Sequence, residues 1–201
     1  ICEILNDDGS MARLPDLLKF SKKHEIKIGT IADLIEYRSK KEKLIKRISE
    51  EKVNTEFGMM KLIVYSDLLS KNTHLAFVKG EIEKDDEVVV RVHEPLSILD
   101  FVSKETPHSW PPLKALKKIS NEKNGVVIFL NYNESQNNIT SKLNHENITL
   151  KKSTDLRSYG IGSQILVDIG VSKMKLLAAP RKMPSMAGYG LQVTEFIEND
   201  I

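Results

Sequence analysis

The feature that most restricts the fold is an uninterrupted apolar run from Gly125 to Leu130. Five apolar side chains follow the glycine with no polar residue among them, so the segment has no face suited to water. Such a run is typical of a β-strand that is covered on both faces. The sequence therefore predicts a strand buried on both faces at this point of the chain.

Several other segments combine β-branched and aromatic residues with flanking turn residues, as strands do. Two helices are expected after the first three of these strands. One covers 113–119 and the other 159–169, with Gly170 as the C-cap of the second. Strands followed by alternating helices and strands predict an α/β domain, or an α+β domain, with a mixed sheet. The further strands are predicted over 61–65, 74–79, 87–93, 174–177 and 190–197.

The first part of the chain has a helical spacing of apolar residues. One helix is predicted around Leu14, Leu17 and Leu18, and a second follows Thr30, whose hydroxyl is suited to cap it. Residues 1–5 alternate weakly and are predicted to form a strand.

The second helical pattern continues through Leu44, Ile45 and Ile48, so we interpret 39–54 as a linker helix. Residues 38–52 contain seven basic and three acidic residues. Such a run indicates either a solvated helix or contact with an anionic partner. The chain is thereby divided into a segment 1–38, the linker 39–54 and a domain 55–201.

The charge balance and hydropathy exclude some functional classes. Thirty Lys and Arg residues stand against 28 Asp and Glu residues, a net charge of +2, which argues against a dedicated nucleic-acid binder. No apolar run approaches the roughly 18–20 residues that span a bilayer. We therefore expect no membrane association and a cytoplasmic location.

The residues that usually ligate transition metals are few and scattered. Cys2 is the single cysteine, and no two of the five histidines lie three or four residues apart. Zinc needs three or four converging ligands, so no metal site is predicted. Cys2 lies in the expected short strand, where a buried, unreactive thiol is the usual case.

Some charged residues suggest phosphate or acid–base chemistry. Arg91 near a strand end and the pair Arg181-Lys182 are chemically suited to a phosphate. Asp155 and Arg157, just before a helix, could stabilise or relay charge, although a surface ion pair is the commoner reading of this spacing. The glycines of Tyr159-Gly160-Ile161-Gly162 lack the third glycine of a dinucleotide loop and indicate close helix packing.

Residues 1–38 resemble the last strand, turn and helices of the 3,4-dihydroxy-2-butanone 4-phosphate synthase family, through Ile1-Cys2-Glu3-Ile4-Leu5 and Thr30 to Arg38. The resemblance implies that Glu3 is the catalytic glutamate that contacts ribulose 5-phosphate. The family's acidic Mg²⁺-binding loop and its Gly-His-Thr-Glu segment have no counterpart here. We therefore expect the C-terminal part of a longer synthase, a lyase that uses Mg²⁺, with an incomplete active site in this chain.

Residues 55–198 resemble GTP cyclohydrolase II, the usual fused partner of that synthase in riboflavin biosynthesis. The resemblance implies that Asp155 is the proton acceptor and Arg157 the covalent nucleophile toward phosphate, and that Lys182 contacts the nucleotide. Arg91 and His93 belong to a matching motif and are assigned, with Lys182, as vestigial nucleotide-binding residues. The matching segments are Thr55–Gly58, Leu75–Gly80, Val90–His93, Asp155–Gly162 and Ala187–Leu191.

The departures from this second family concern its zinc and its nucleotide. The family holds zinc with three cysteines, one after Arg-Val-His-Ser-Glu and two in Cys-Asp-Cys. This chain has Leu96 after Arg91 to Pro95, and Pro107-His108-Ser109 further on, so zinc is predicted to be absent. Asn133-Glu134-Ser135 and Ala178-Ala179-Pro180 replace two nucleotide-binding segments.

The preferred hypothesis is a cyclohydrolase-like domain without its ancestral activity, which supports or regulates the synthase, most simply as a homodimer. GTP binding is not expected from this hypothesis, and the chain by itself is not assigned as an enzyme. Two alternatives stay open: residual nucleotide chemistry through Arg91, Asp155, Arg157 and Lys182, or nucleotide sensing without turnover. The asparagine-rich segment 131–147 is predicted to be a mobile loop that binds no ligand.

Overall fold

The computed structural model describes residues 2–94, 96–102, 109–132 and 153–199, without the side chains at 39, 40, 102, 153–158 and 184. Most of the segment predicted as a mobile loop, 131–147, lies outside the described residues. No helix within the described residues is long and apolar enough to cross a membrane.

Seven strands form one mixed sheet in the order β1-β2-β3-β5-β4-β6-β7. The pairs from β1 to β5 are antiparallel, whereas β4 lies parallel to β5 and β6, and β6 lies parallel to β7. The predicted mixed sheet is thus confirmed. The strands are β1 (Ile45–Thr55), β2 (Gly58–Asp67), β3 (Thr73–Lys79), β4 (Glu87–His93), β5 (Gly125–Phe129), β6 (Lys173–Leu177) and β7 (Gln192–Ile197).

Helices precede the sheet and cover it. Thr30 caps the second helix as predicted, because its hydroxyl accepts from Asp33 N at 3.0 Å and its own N–H donates to the Asp33 carboxylate at 3.1 Å. The helices are α1 (Leu14–His24), α2 (Ile31–Lys41), α3 (Leu99–Val102), α4 (Pro112–Ser120) and α5 (Ser153–Ile169), and a 3₁₀ helix spans Pro184–Tyr189.

The two faces of the sheet each carry an apolar core. On one face Val126 and Ile128 of β5 join a cluster that includes Ile161 and Ile165 of α5. On the other face Val127 and Phe129 join a cluster with Leu116 and Ile119 of α4. All four β5 side chains are buried, which confirms the strand with two covered faces. Full burial of each such side chain stabilises the fold by roughly 1.5–3 kcal/mol.

Two predictions about the start of the chain are wrong. The strand predicted over 1–5 is not formed by residues 2–5, the part of it that the structure describes: Leu5 makes an isolated bridge to Met11, and Cys2 is exposed rather than buried. The linker helix over 39–54 is also wrong, because α2 ends at Lys41 and residues 45–55 pair with β2. The helical spacing was coincidental there, since Ile45 faces the core while Ile48 lies exposed at a bulge in β1.

A polar network fastens β1 and β2 to the end of α5. The hydroxyl of buried Tyr65 donates to the Asp168 carboxylate at 2.7 Å, and the Arg47 guanidinium donates to the same oxygen at 2.8 and 2.9 Å. Burial, together with the bond to Asp168, raises the pKa of Tyr65. The protonated phenol is therefore the form that stabilises this contact.

Tyr65→Phe is expected to lower the free energy of unfolding by about 1–2 kcal/mol, since a hydrogen bond to a charged group is lost while the ring stays in place. Because the pKa of Tyr65 is raised on folding, its contribution is complete below pH ~10 and declines at higher pH. Urea unfolding of wild type and variant at pH 7 and above pH 10 measures both effects. Tyr37→Phe, at a tyrosine that is 63% exposed, is the control and should change stability by less than about 0.5 kcal/mol. Equal stability of wild type and Tyr65→Phe at pH 7 would contradict the assignment.

Candidate functional site

Polar side chains gather where the parallel strands β4 and β6 end. Strands that run parallel release the chain at one edge of the sheet, where ligands of open α/β sheets usually bind. Arg91 and His93 lie in the last half of β4, and Arg181 follows β6. We call Arg91, His93, Ser97, Asp100 and Arg181 the strand-end cluster.

Arg91 is a buried cation whose hydrogen bonds are only partly used. Its side chain is buried, with 7% of the residue exposed, and its Nη1 donates to the carbonyl of Leu177 at 2.8 Å. Its Nε is buried and has no hydrogen-bond partner among the described residues. The pKa of Arg91 is lowered to about 10, chiefly by burial and in part by the charge of Arg181, with Asp100 partly opposing both. The guanidinium is therefore still charged at neutral pH and suited to an anion.

Arg181 adds a second positive charge beside Arg91. Its guanidinium lies over the ring of Tyr159 on α5, 5.5 Å from the ring centroid, which is a cation–π contact. Lys182 is the next residue and is exposed. Two guanidinium groups near one another at a strand edge have the chemistry to bind a phosphate or another multivalent anion.

His93 forms a buried pair with an acid that the sequence analysis missed. Its Nε2 lies 2.9 Å from Oδ2 of Asp100, which also accepts from the N–H of Ser97 at 2.8 Å. The sequence pattern that could have revealed Asp100 is the spacing Ser97-x-x-Asp100, which resembles the capping box at the start of a helix. Two main-chain bonds hold the same loop, from Leu130 N to His93 O and from Leu96 N to Leu130 O, each 3.0 Å.

The structure brings together only some of the predicted site residues. Arg91 and His93 lie together at the strand ends, and Glu3 is exposed in the segment before α1. Among the described residues, no side-chain hydrogen bond or ion pair joins Glu3 to the strand-end cluster. Asp155 and Arg157 lie in the first turns of α5, where the backbone is described and the side chains are not.

Another aromatic pair at the same edge of the sheet was also missed. The ring of His74 on β3 meets that of Tyr132, which follows β5, edge to face with 5.4 Å between centroids. His74 is fully buried. Its place in an alternating strand gave no sign of a ring partner far along the chain.

The glycine pair of α5 packs closely, as predicted. A Cβ on Gly160 would lie 3.1 Å from the Tyr189 hydroxyl, and one on Gly162 would lie 3.3 Å from a methyl group of Val92. Both glycines lie within the helix rather than in a loop before it. They therefore serve contact between α5 and its neighbours.

The described residues contain no group of three or more His, Cys, Asp or Glu side chains placed to hold a metal ion. Leu96 lies between His93 and Asp100 in the sequence, and its apolar side chain offers no atom that could ligate a metal. The one cysteine, Cys2, is exposed near the start of the chain. The donor set here consists of arginines, a histidine and an aspartate.

Two family models match different parts of the chain. The family model of GTP cyclohydrolase II matches residues 46–198, and that of 3,4-dihydroxy-2-butanone 4-phosphate synthase matches residues 1–37. A 3,4-dihydroxy-2-butanone 4-phosphate synthase of Neisseria meningitidis serogroup B is 45% identical over 198 residues, which cover 98% of this chain and 54% of that protein. The riboflavin biosynthesis protein RibBA of Aquifex aeolicus is 40% identical over 210 residues, covering 97% and 52%.

Among solved structures, this chain is similar to RibBX, a two-domain 3,4-dihydroxy-2-butanone 4-phosphate synthase from A. baumannii. The TM-score is 0.60 at 34% identity, and the match covers 98% of this chain and 53% of that one. The chain thus spans about half the length of the relatives it matches.

Asp100→Ala is expected to lower the free energy of unfolding by about 2–3 kcal/mol, because it leaves the buried His93 ring and the Ser97 N–H without their shared acceptor. Thermal and urea unfolding measure the loss. Asp7→Ala, at an exposed aspartate in the turn before α1, is the control and should have little effect. If both variants were equally stable, the His93–Asp100 pair would not hold the loop after β4.

Proposed function

Because the chain belongs to the GTP cyclohydrolase II family, we propose that it is the C-terminal part of a riboflavin-biosynthesis synthase whose family domain no longer opens GTP. The longer protein would be a 3,4-dihydroxy-2-butanone 4-phosphate synthase, which converts ribulose 5-phosphate to dihydroxybutanone phosphate and formate with Mg²⁺. Support comes from the synthase match over 1–37 and from relatives of that name. Glu3 would contact the substrate there.

The observation that carries a supporting role for the domain is direct contact between the two family segments. Helix α2, most of which lies in the synthase match, rests on the 3₁₀ helix at 184–189, within the cyclohydrolase match. The domain would thereby stabilise or regulate the synthase part, in the cytoplasm and as a homodimer.

The proposed loss of GTP ring opening rests on the donor atoms that remain. Zinc in this family would supply a Lewis acid and an activated water. Thiolates would have to hold it, yet Leu96 occupies the position of one, and the chain has a single cysteine that lies elsewhere. The residues present therefore do not fit zinc, and no step of the proposed function passes through it.

A second candidate function is binding of a nucleotide or polyphosphate without turnover. It is favoured by Arg91, whose buried Nε has no described partner, and by Arg181 beside it. Lys182 would add a charge at the rim. Such binding would make the domain a sensor rather than an inert support.

The synthase assignment predicts that Glu3→Gln in the full-length protein lowers formate release from ribulose 5-phosphate by at least about 10²-fold, the scale of a lost acid–base or substrate-orienting group. The melting temperature should not change, because Glu3 is exposed. Glu51→Gln, on the exposed edge strand β1, is the matched control and should retain wild-type turnover. Normal turnover by Glu3→Gln would remove Glu3 from the active site.

The sensing candidate predicts that GTP or inorganic pyrophosphate raises the melting temperature of wild type, because a ligand that binds only the folded state stabilises it. Arg91→Met should abolish this shift, whereas Arg13→Met should retain it, since Arg13 bonds Asp16 only through its main chain. Equal shifts in all three proteins would exclude the strand-end cluster as the binding site. GTP-dependent pyrophosphate release together with stoichiometric zinc would instead overturn the proposed loss of ring opening.

A further inference from the structure

We infer that Gln164, Gly188 and Tyr189 form a docking surface for α2, through which the cyclohydrolase-family domain positions the synthase segment. We call these three residues the α2 dock. The inference rests on the proposed function and deepens it, because it identifies the contacts through which the domain would act on the synthase part.

Gly188 sets how closely α2 approaches the domain. A Cβ built on Gly188 would lie 2.8 Å from the carbonyl oxygen of Ala32 and 2.8 Å from a methyl carbon of Ile35. Both atoms belong to α2, and neither distance is one that real Cβ atoms show. Its φ lies outside the left-handed region, because the glycines with positive φ are Gly9, Gly58, Gly80, Gly170 and Gly190, and Gly188 is not among them. The need for glycine therefore comes from α2 and not from the local backbone.

Gln164 on α5 holds the chain just after α2. Its Nε2 donates to the carbonyl of Glu42 at 2.9 Å, and its Oε1 accepts from the N–H of Leu44 at 2.8 Å. Both the N–H and the oxygen of the Gln164 side-chain amide thus bond to the three-residue connection between α2 and β1. The bond from Nε2 also satisfies the carbonyl of Glu42, the C-cap residue, at a helix end where carbonyls lack intrahelical partners.

Tyr189, in the 3₁₀ helix, lies close to both α5 and α2. It is half-buried, and its hydroxyl lies against Gly160 of α5, where an added Cβ would be 3.1 Å away. Burial raises the pKa of Tyr189, while the nearby charge of Arg38 on α2 opposes that rise. Tyr189 is therefore in contact with α5 and close to the charged end of α2.

Helix α1 of the synthase segment contributes little to this attachment. Helix α1 contains no buried residue, and Leu14 and Leu18 on it are more than half exposed. Of the two helices in the synthase segment, α2 is the one that packs extensively on the domain, against the 3₁₀ helix at 184–189. A displacement of α2 would therefore be transmitted to the segment that carries Glu3.

The α2 dock also gives a reason for keeping a domain that has lost its chemistry. Helix α5 carries Asp155 and Arg157 at its start and Gln164 further along. The 3₁₀ helix that contains Gly188 follows Arg181 and Lys182 directly. The elements that would have served the nucleotide are thus the elements that hold α2.

The first test is amide hydrogen exchange on the 201-residue chain. Gly188→Ala should speed exchange of the α2 amides by about tenfold, the scale expected when an extra methyl is forced into a filled contact. Gly29→Ala is the matched control: it lies just before α2, has open space around its Cβ position, and should leave α2 exchange unchanged. Exchange in β5 reports whether each variant is folded. Gln164→Met, which keeps the volume and removes both hydrogen bonds, provides the same test if Gly188→Ala does not fold.

The second test is formate release by the full-length protein at saturating and limiting ribulose 5-phosphate. Gly188→Ala and Gln164→Met should lower kcat several-fold, while Gly29→Ala should not. Wild-type exchange of α2 in both dock variants, or faster exchange with wild-type kcat, would overturn the inference. Removal of residues 46–201 distinguishes the proposed supporting role of the domain from the proposed action through the α2 dock. If that deletion lowers kcat and the dock variants do not, the domain supports the synthase but the α2 dock is not the means. If the deletion leaves kcat unchanged, the proposed supporting role fails as well.

Discussion

Burial of β5 and β4 on both faces is the constraint on which the other features depend. Val126 and Ile128 pack toward α5 while Val127 and Phe129 pack toward α4, so a helix is required on each side of the sheet. Strands buried in this way are usually paired in parallel, and β4 and β5 are. Parallel pairing then brings the ends of β4 and β6 to one edge, where the chain leaves the sheet. The strand-end cluster is a consequence of that geometry.

Elements whose burial leaves a pattern in the local sequence could be predicted, whereas contacts between distant parts of the chain could not. Segments with a strong local signal were identified: β5 by its apolar run, β4 by its β-branched residues next to a turn, and α2 by the cap at Thr30. The segment 45–55 was misassigned because an exposed edge strand carries polar residues and few apolar ones, and its pairing with β2 is a tertiary fact. The contact of His93 with Asp100 and that of Gly188 with α2 likewise depend on how distant parts of the chain meet.

A buried guanidinium without an opposing carboxylate in contact costs free energy, because desolvation of the charge is not offset by a partner. Arg91 retains its charge at neutral pH, and its one described hydrogen bond goes to a main-chain carbonyl. Arg181 nearby adds repulsion. This arrangement is unfavourable for stability alone and is typical of residues kept, or left over, from binding an anion. Stability and the proposed anion binding would therefore make opposite demands at this edge of the sheet.

The loop after β4 is held by hydrogen bonds that connect it to β5 and to its own backbone. A bound ion contributes stability by fixing several side chains at once, so its loss would leave a loop with few constraints. In this chain the Asp100 carboxylate joins His93 to the N–H of Ser97, and two main-chain bonds tie Leu96 and His93 to Leu130. Under the proposed function, these bonds would keep the loop in shape without zinc, and the domain would act through its contact with α2.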